Sequence, residues 1–219
     1  MILPHEQFKE NDYVVCQSFI SKELSNFLYS YLKMQAQVSA TCNEKYGSKV
    51  YNNTPNLLGE FVDPQAPGDF SKYADVAFES LMENNVHKVE MLTGLSLVPT
   101  YSYTRLYTKG SELVMHKDRG ACEISITLCL GYDSDYSWPM YVEAKPIYLE
   151  PGDCIVYRGQ NVKHGRPVFE GNNHAQVFMH FNDVKGPHKD TNKFDNRPSL
   201  GLPCEFNKLS VEYNTEEYD

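Results

Sequence analysis

The chemistry of this chain is concentrated in His116, Asp118 and His164. His116-Lys117-Asp118 lies in a strand-like stretch. Residues i and i+2 of a strand face the same side, so an imidazole and a carboxylate aim into one space. His164 follows 48 residues later on another strand-like segment. Two imidazoles and one carboxylate can cap one face of a divalent metal ion and leave the other face open. An open face admits a chelating anion and keeps one position for dioxygen. The plainer readings are a surface His–Asp pair and a hydrogen-bonded structural histidine. The other histidines carry weaker signals. His188-Lys189-Asp190 repeats the HxD spacing but sits in polar sequence with no later histidine, which suits a solvated loop. His180 lies in the apolar run Val177-Phe178-Met179-His180-Phe181 and reads as a core histidine.

The elements that must position these groups follow from periodicity. Tyr13-Val14-Val15-Cys16 suits a short strand. Ser21 can cap a helix whose apolar face is Leu24, Phe27, Leu28, Tyr31 and Leu32. Residues 40–70 hold three prolines and three glycines among Asn and Tyr, which suggests long loops. A second helix is expected over about 69–93, with a break near Asn84-Asn85 and a stop at Gly94. Beyond Gly94 the period changes to two. Strands are expected over 96–107, 113–118, 122–130, 139–143, 146–149, 153–158, 162–168 and 174–182. Turns such as Lys109-Gly110 and Pro151-Gly152-Asp153 separate them. Eight short strands in about 90 residues imply an antiparallel barrel or a double-sheet jelly roll. The fold class is therefore mostly β with flanking α-helices. A single domain over 1–219 is expected. It comprises N-terminal helices and lid loops (1–94), a β-rich core (95–183) and a C-terminal tail (184–219) that packs as loops and then frays.

Composition narrows the function. Hydrophobic residues make up 41% and charged residues 22%, a globular balance. Twenty Lys and Arg against 29 Asp and Glu give a net charge of -9, which disfavours nucleic acid as a partner. No apolar run is long enough for a membrane span. No secretory signal is apparent, so a cytoplasmic chain is expected. The six cysteines show no CxxC pair and read as reduced, buried small hydrophobes.

Several segments together resemble a known family. They are YSYTRLYTKGSELVMHKDRG, EISITLCLGY, WPMYVE, LEPGDCIVYRG and KHGRPVFEGNNHAQVFMHF, spanning Tyr101 to Asp183. In this order they are similar to the Fe(II)/2-oxoglutarate-dependent oxygenases of the prolyl-4-hydroxylase-like group. The resemblance implies a double-stranded β-helix (jelly roll, cupin-like) core. It implies Fe(II) held by His116, Asp118 and His164, with 2-oxoglutarate and dioxygen consumed to hydroxylate an unactivated C–H bond. Related halogenases replace the carboxylate ligand with a small residue, so Asp118 favours hydroxylation. A prolyl residue in a peptide and a small metabolite both fit as substrate. A non-catalytic jelly-roll module that binds a metal or other ligand is the alternative.

The chain departs from the family at the co-substrate. The resemblance implies a cation about ten positions after the second metal histidine, where it grips the far carboxylate of 2-oxoglutarate. That position is His174, and Gln176 follows on the same strand face. Either His174 binds as an imidazolium or another cation reaches in. Arg166 shares the face of His164, and Arg105, Arg119 and Arg158 are further candidates. Tyr107, nine residues before His116, matches the family tyrosine that helps hold this carboxylate. Tyr46, Tyr51, Asn52, Asn53 and Phe61 are expected in a lid over the substrate, and Trp138-Pro139-Met140-Tyr141 on the opposite wall.

Overall fold

The structure is a computed structural model, and it describes residues 2–46, 57–188 and 190–202. Helix α1 (Pro4–Asn11) starts on a proline, whose missing N–H costs nothing at a helix start. It leads into β1 (Tyr13–Cys16) and then α2 (Lys22–Tyr46). Ser21 caps α2 as expected, its hydroxyl accepting from the Leu24 N–H at 3.2 Å. The buried face of α2 is Ser25, Leu28, Leu32, Ala36 and Ser39. Phe27 instead stands exposed. Small residues let α2 approach the sheet, and a search for large apolar residues misses them.

The segment expected to open the second helix is a strand, β2 (Phe70–Tyr73). Helix α3 (Val76–Thr93) follows without a break. The Asp75 carboxylate caps it by accepting from Ala77 N at 3.0 Å. Gly94 ends it with φ 71°, a left-handed conformation that glycine adopts without strain.

The remaining strands fall close to their expected places. They are β3 (Leu97–Thr108), β4 (Leu113–His116), β5 (Ile124–Asp133), β6 (Met140–Val142), β7 (Lys145–Ile147), β8 (Cys154–Arg158), β9 (His164–Arg166) and β10 (Asn173–Asp183). One antiparallel sheet has the order β1-β8-β5-β10-β3-β2 and the other β4-β9-β6-β7. This is a double-stranded β-helix, a jelly roll with helices on the outer face of its larger sheet.

Alternation divides that larger sheet cleanly. Ile124, Ile126 and Leu128 of β5, Val156 of β8 and Val177, Met179 and Phe181 of β10 pack against Leu28, Leu32, Phe78 and Met82 of the helices. The intervening residues line the space between the sheets. They include Thr127 of β5, Tyr157 of β8, and His174, Gln176 and His180 of β10, all buried. Polar residues on one face and large apolar ones on the other thus create a half-polar interior.

The C-terminal segment packs further than expected. The guanidinium of Arg197 donates to both Glu79 carboxylate oxygens, at 2.6 and 3.1 Å, and to the Thr100 carbonyl at 3.0 Å. The expected lid also needs correction. Its first part continues α2 to Tyr46. Phe61 packs on Phe70, with ring centroids 5.5 Å apart, instead of facing the inter-sheet space. Tyr51, Asn52 and Asn53 lie outside the described residues.

Candidate metal centre

Antiparallel pairing of β4 with β9 sets His116 opposite His164. Their ring centroids lie 4.4 Å apart. Just beyond β4, the Asp118 N–H donates to the Gly159 carbonyl at 2.9 Å, which turns Asp118 inward. One Asp118 oxygen then stands 3.6 Å from His116 Nε2 and 3.4 Å from His164 Nε2. One ligand atom from each of the three residues falls within 4.8 Å of the others. Gly159 is required for this approach, because a Cβ there would collide with the Asp118 carboxylate and the Cys122 carbonyl.

The rings are aimed by their backbone bonds. His116 Nδ1 lies 2.8 Å from the Val114 carbonyl, and His164 Nδ1 lies 3.2 Å from the Val162 carbonyl. A carbonyl only accepts, so each Nδ1 carries the proton and each Nε2 presents its lone pair to the centre. Behind Asp118, the Ser125 hydroxyl donates to its second oxygen at 2.9 Å. That hydroxyl also lies 2.9 Å from His180 Nδ1. Burial opposes the charge on Asp118. When the facing rings of His116 and His164 carry a proton on Nε2 as well, their bonds to Asp118 outweigh burial and hold its carboxyl far below the usual range. The carboxylate in turn raises the pKa of His116. Two lone pairs and an anion converging on one point could hold a cation.

The centre opens into a cavity of about 410 Å³ lined by Arg105, Thr127, Tyr157, Arg166 and Phe178 among others. Arg166, two residues beyond His164, is 3% exposed. Its guanidinium donates to the Trp138 carbonyl at 2.5 Å and lies over the Trp138 ring. No carboxylate pairs with it among the described residues. Burial therefore pulls its pKa down to about 10. His174 is equally buried, and burial together with the Arg166 charge drives its pKa well down, so the ring is neutral. Both ring nitrogens of His174 and both amide atoms of Gln176 lack a hydrogen-bond partner. Buried polar atoms are rarely left unsatisfied, and His174 feels the Arg166 charge, although neither His174 nor Gln176 is among the residues that line the cavity. Tyr107 is fully buried, and its hydroxyl accepts from Arg105 at 3.0 Å.

The other arginines are engaged. Arg105 pairs with Asp63, which also accepts from the Tyr103 hydroxyl at 2.6 Å. Arg119 makes two bonds of 2.8 Å to Asp195. Arg158 pairs with Asp12 at 3.1 Å, away from the cavity. Met140 lines the cavity, whereas Trp138 backs Arg166 and Tyr141 lines a separate surface depression. His188 joins none of the metal-competent groups found among the described residues. Sequence reading missed Ser125, Gly159 and Asp63. The alternation Ser125, Thr127, Cys129 on an apolar strand hinted at the first, and nothing local marked the other two.

No family model and no curated protein matches the sequence. Solved structures do match. A prolyl-4-hydroxylase from Pseudomonas putida has 15% identity and a TM-score of 0.54, over 81% of this chain and 96% of that one. HygX from Streptomyces hygroscopicus, bound to nickel, 2-oxoglutarate and hygromycin B, has 14% identity and a TM-score of 0.56, over 81% and 85%. The non-haem α-ketoglutarate-dependent epimerase SnoN of nogalamycin biosynthesis has 11% identity and a TM-score of 0.59, over 91% and 90%. The chain has the fold of the 2-oxoglutarate/Fe(II) oxygenases, including those of the prolyl-4-hydroxylase-like group.

Proposed function

We propose that this chain is an Fe(II)- and 2-oxoglutarate-dependent dioxygenase that hydroxylates an unactivated C–H bond. One observation carries the reading. A three-ligand metal set and a buried guanidinium without an acidic partner among the described residues share a single cavity. A lone buried charge is costly, and function is the usual reason to keep one.

His116, Asp118 and His164 are the ligands for iron. Arg166 grips the far carboxylate of 2-oxoglutarate, since its planar fork suits a carboxylate. Tyr107, neutral His174 and Gln176 supply the hydrogen bonds around it. Bound iron and 2-oxoglutarate would supply the oxidising power, using dioxygen and releasing succinate and carbon dioxide. The chain's own part is placement. Ser125 and the Val114 and Val162 carbonyls fix the ligand directions. Tyr157, Phe178 and Met140 exclude water from the centre. Gln65, Lys117 and Arg119, which line the cavity and are exposed, form a polar rim over which the substrate enters. That rim suits a peptidyl proline or a polar small molecule, the classes on which the matched prolyl hydroxylase and the hygromycin-bound HygX bear.

A non-catalytic binding module needs no cation for the co-substrate, whereas Arg166 offers one from the neighbouring sheet. The test is succinate formation from 2-oxoglutarate. It should require Fe(II) and dioxygen and vanish in Asp118→Ala. Metal uptake with no oxygen-dependent succinate, across peptidyl and small-molecule substrates, would favour the binding module.

A further inference from the structure

Cys16 and Cys154 form a pair that the metal centre does not use. Strand β1 is an outer strand of the larger sheet and pairs antiparallel with β8, with Cys16 directly opposite Cys154. The Arg158 N–H donates to the Asp12 carbonyl at 2.9 Å, which marks that pair as hydrogen-bonded. Such pairs recur every second residue, so Cys16 and Cys154 form another. Their Cα atoms are then about 5.5 Å apart, within the span of a disulfide. Residues opposite one another project to the same side, here the helix side, as buried Val14 and Val156 do. Cys16 is partly exposed, with its thiol donating to the Gln17 carbonyl at 3.7 Å, and Cys154 is fully buried, so the two residues differ in access to solvent.

The electrostatics divide the two roles. Hydrogen bonding to Cys154 holds the Cys16 thiol down to about 7 against the effect of burial, and the Lys88 ammonium helps. Burial pushes the Cys154 thiol well up, and its contact with Cys16 adds to this. An accessible, acidic thiol beside a buried one is the arrangement of a nucleophile and its resolving partner.

We propose that Cys16 and Cys154 are a peroxide-sensitive dithiol that closes to a cross-strand disulfide. The Cys16 thiolate attacks one oxygen of hydrogen peroxide, the O–O bond breaks, and a sulfenic acid forms with release of water after protonation. The Cys154 sulfur then attacks the Cys16 sulfur, its proton leaves with the hydroxyl as a second water, and the S–S bond forms. The two thiols lose two electrons and the peroxide gains them. A dithiol reductant reverses the change. The bond fastens edge strand β1, and the α1 helix before it, to the sheet.

The experiment treats the full chain with a few equivalents of hydrogen peroxide, alkylates the remaining thiols and maps the digest by mass spectrometry. The expected product is a Cys16–Cys154 cross-linked peptide that dithiothreitol removes. In Cys154→Ser, checked for wild-type thermal unfolding, Cys16 should be captured by dimedone as its sulfenic acid. Cys42, partly exposed on α2, serves as the internal comparison. Full alkylation of Cys16 after peroxide, or its linkage to any other cysteine, overturns the proposal. Should Cys154→Ser fail to fold, the wild-type map decides alone.

Discussion

Replacing Arg166 with Met separates the cost of a buried cation from its use. In the absence of 2-oxoglutarate the guanidinium is fully buried, donates to the Trp138 carbonyl, and has its pKa pulled down to about 10. Holding that charge costs about 3 kcal/mol. The bond to Trp138 and the contact with its ring return about 2 kcal/mol. A methionine of similar length fills the space without the charge, so Arg166→Met should unfold within about 1–2 kcal/mol of wild type, with no large loss. The same change removes a paired, hydrogen-bonded carboxylate from the complex. Charge-assisted hydrogen bonds contribute about 1.5–3 kcal/mol each, so two give 3–6 kcal/mol and a loss of roughly 10²–10⁴ in affinity. The assay is calorimetric titration of 2-oxoglutarate into anaerobic, metal-saturated protein, with thermal unfolding of the unliganded protein beside it. Unchanged metal affinity, near-wild-type unfolding and a hundredfold or greater weakening of 2-oxoglutarate are expected. Binding within threefold of wild type would refute the assignment, as would a variant that unfolds many degrees lower.

Other outcomes follow from the same geometry. With metal saturated, 2-oxoglutarate affinity should stay flat between about pH 6.5 and 8, because burial and Arg166 keep His174 neutral throughout. Affinity that falls as pH rises through this window would show an imidazolium grip. Ser125→Ala removes the hydroxyl behind Asp118 and should weaken metal binding about 10–100-fold by equilibrium dialysis, with the fold intact. Glu79→Ala leaves the Arg197 guanidinium buried without its carboxylate. It should cost about 3–5 kcal/mol, and at 2–4 °C per kcal/mol the melting temperature should fall by roughly 6–20 °C.

The jelly roll was readable because its strands alternate. Every strand expected after Gly94 exists, since apolar residues on one face and polar ones on the other admit few other arrangements. The HxD spacing pointed to the candidate metal group, yet strand periodicity does not place its carboxylate, because β4 ends at His116 and the bond from the Asp118 N–H to the Gly159 carbonyl brings Asp118 to the same centre. The errors came where periodicity was silent. Helix α2 uses Ser25, Ala36 and Ser39 for close packing, so its true face held little apolar signal and its C-terminal turns looked like loop. Phe70–Tyr73 is stabilised by pairing with Leu106 to Tyr103, a long-range contact no local pattern reports. Arg166 and His174 could not be ranked from sequence, because both lie on inward faces. Only burial, and the absence of an acidic partner among the described residues, tells a retained cation from a neutral ring.

The most direct test of the account is a crystal structure grown with Mn(II) and 2-oxoglutarate, with the ion located by its anomalous scattering. The ion should be bonded directly by His116, Asp118 and His164, with 2-oxoglutarate chelating it and reaching the Arg166 guanidinium. An ion held instead by Asp118, Cys122 and His180, the second metal-competent group nearby, would contradict it, as would a carboxylate that reaches His174 and leaves Arg166 untouched.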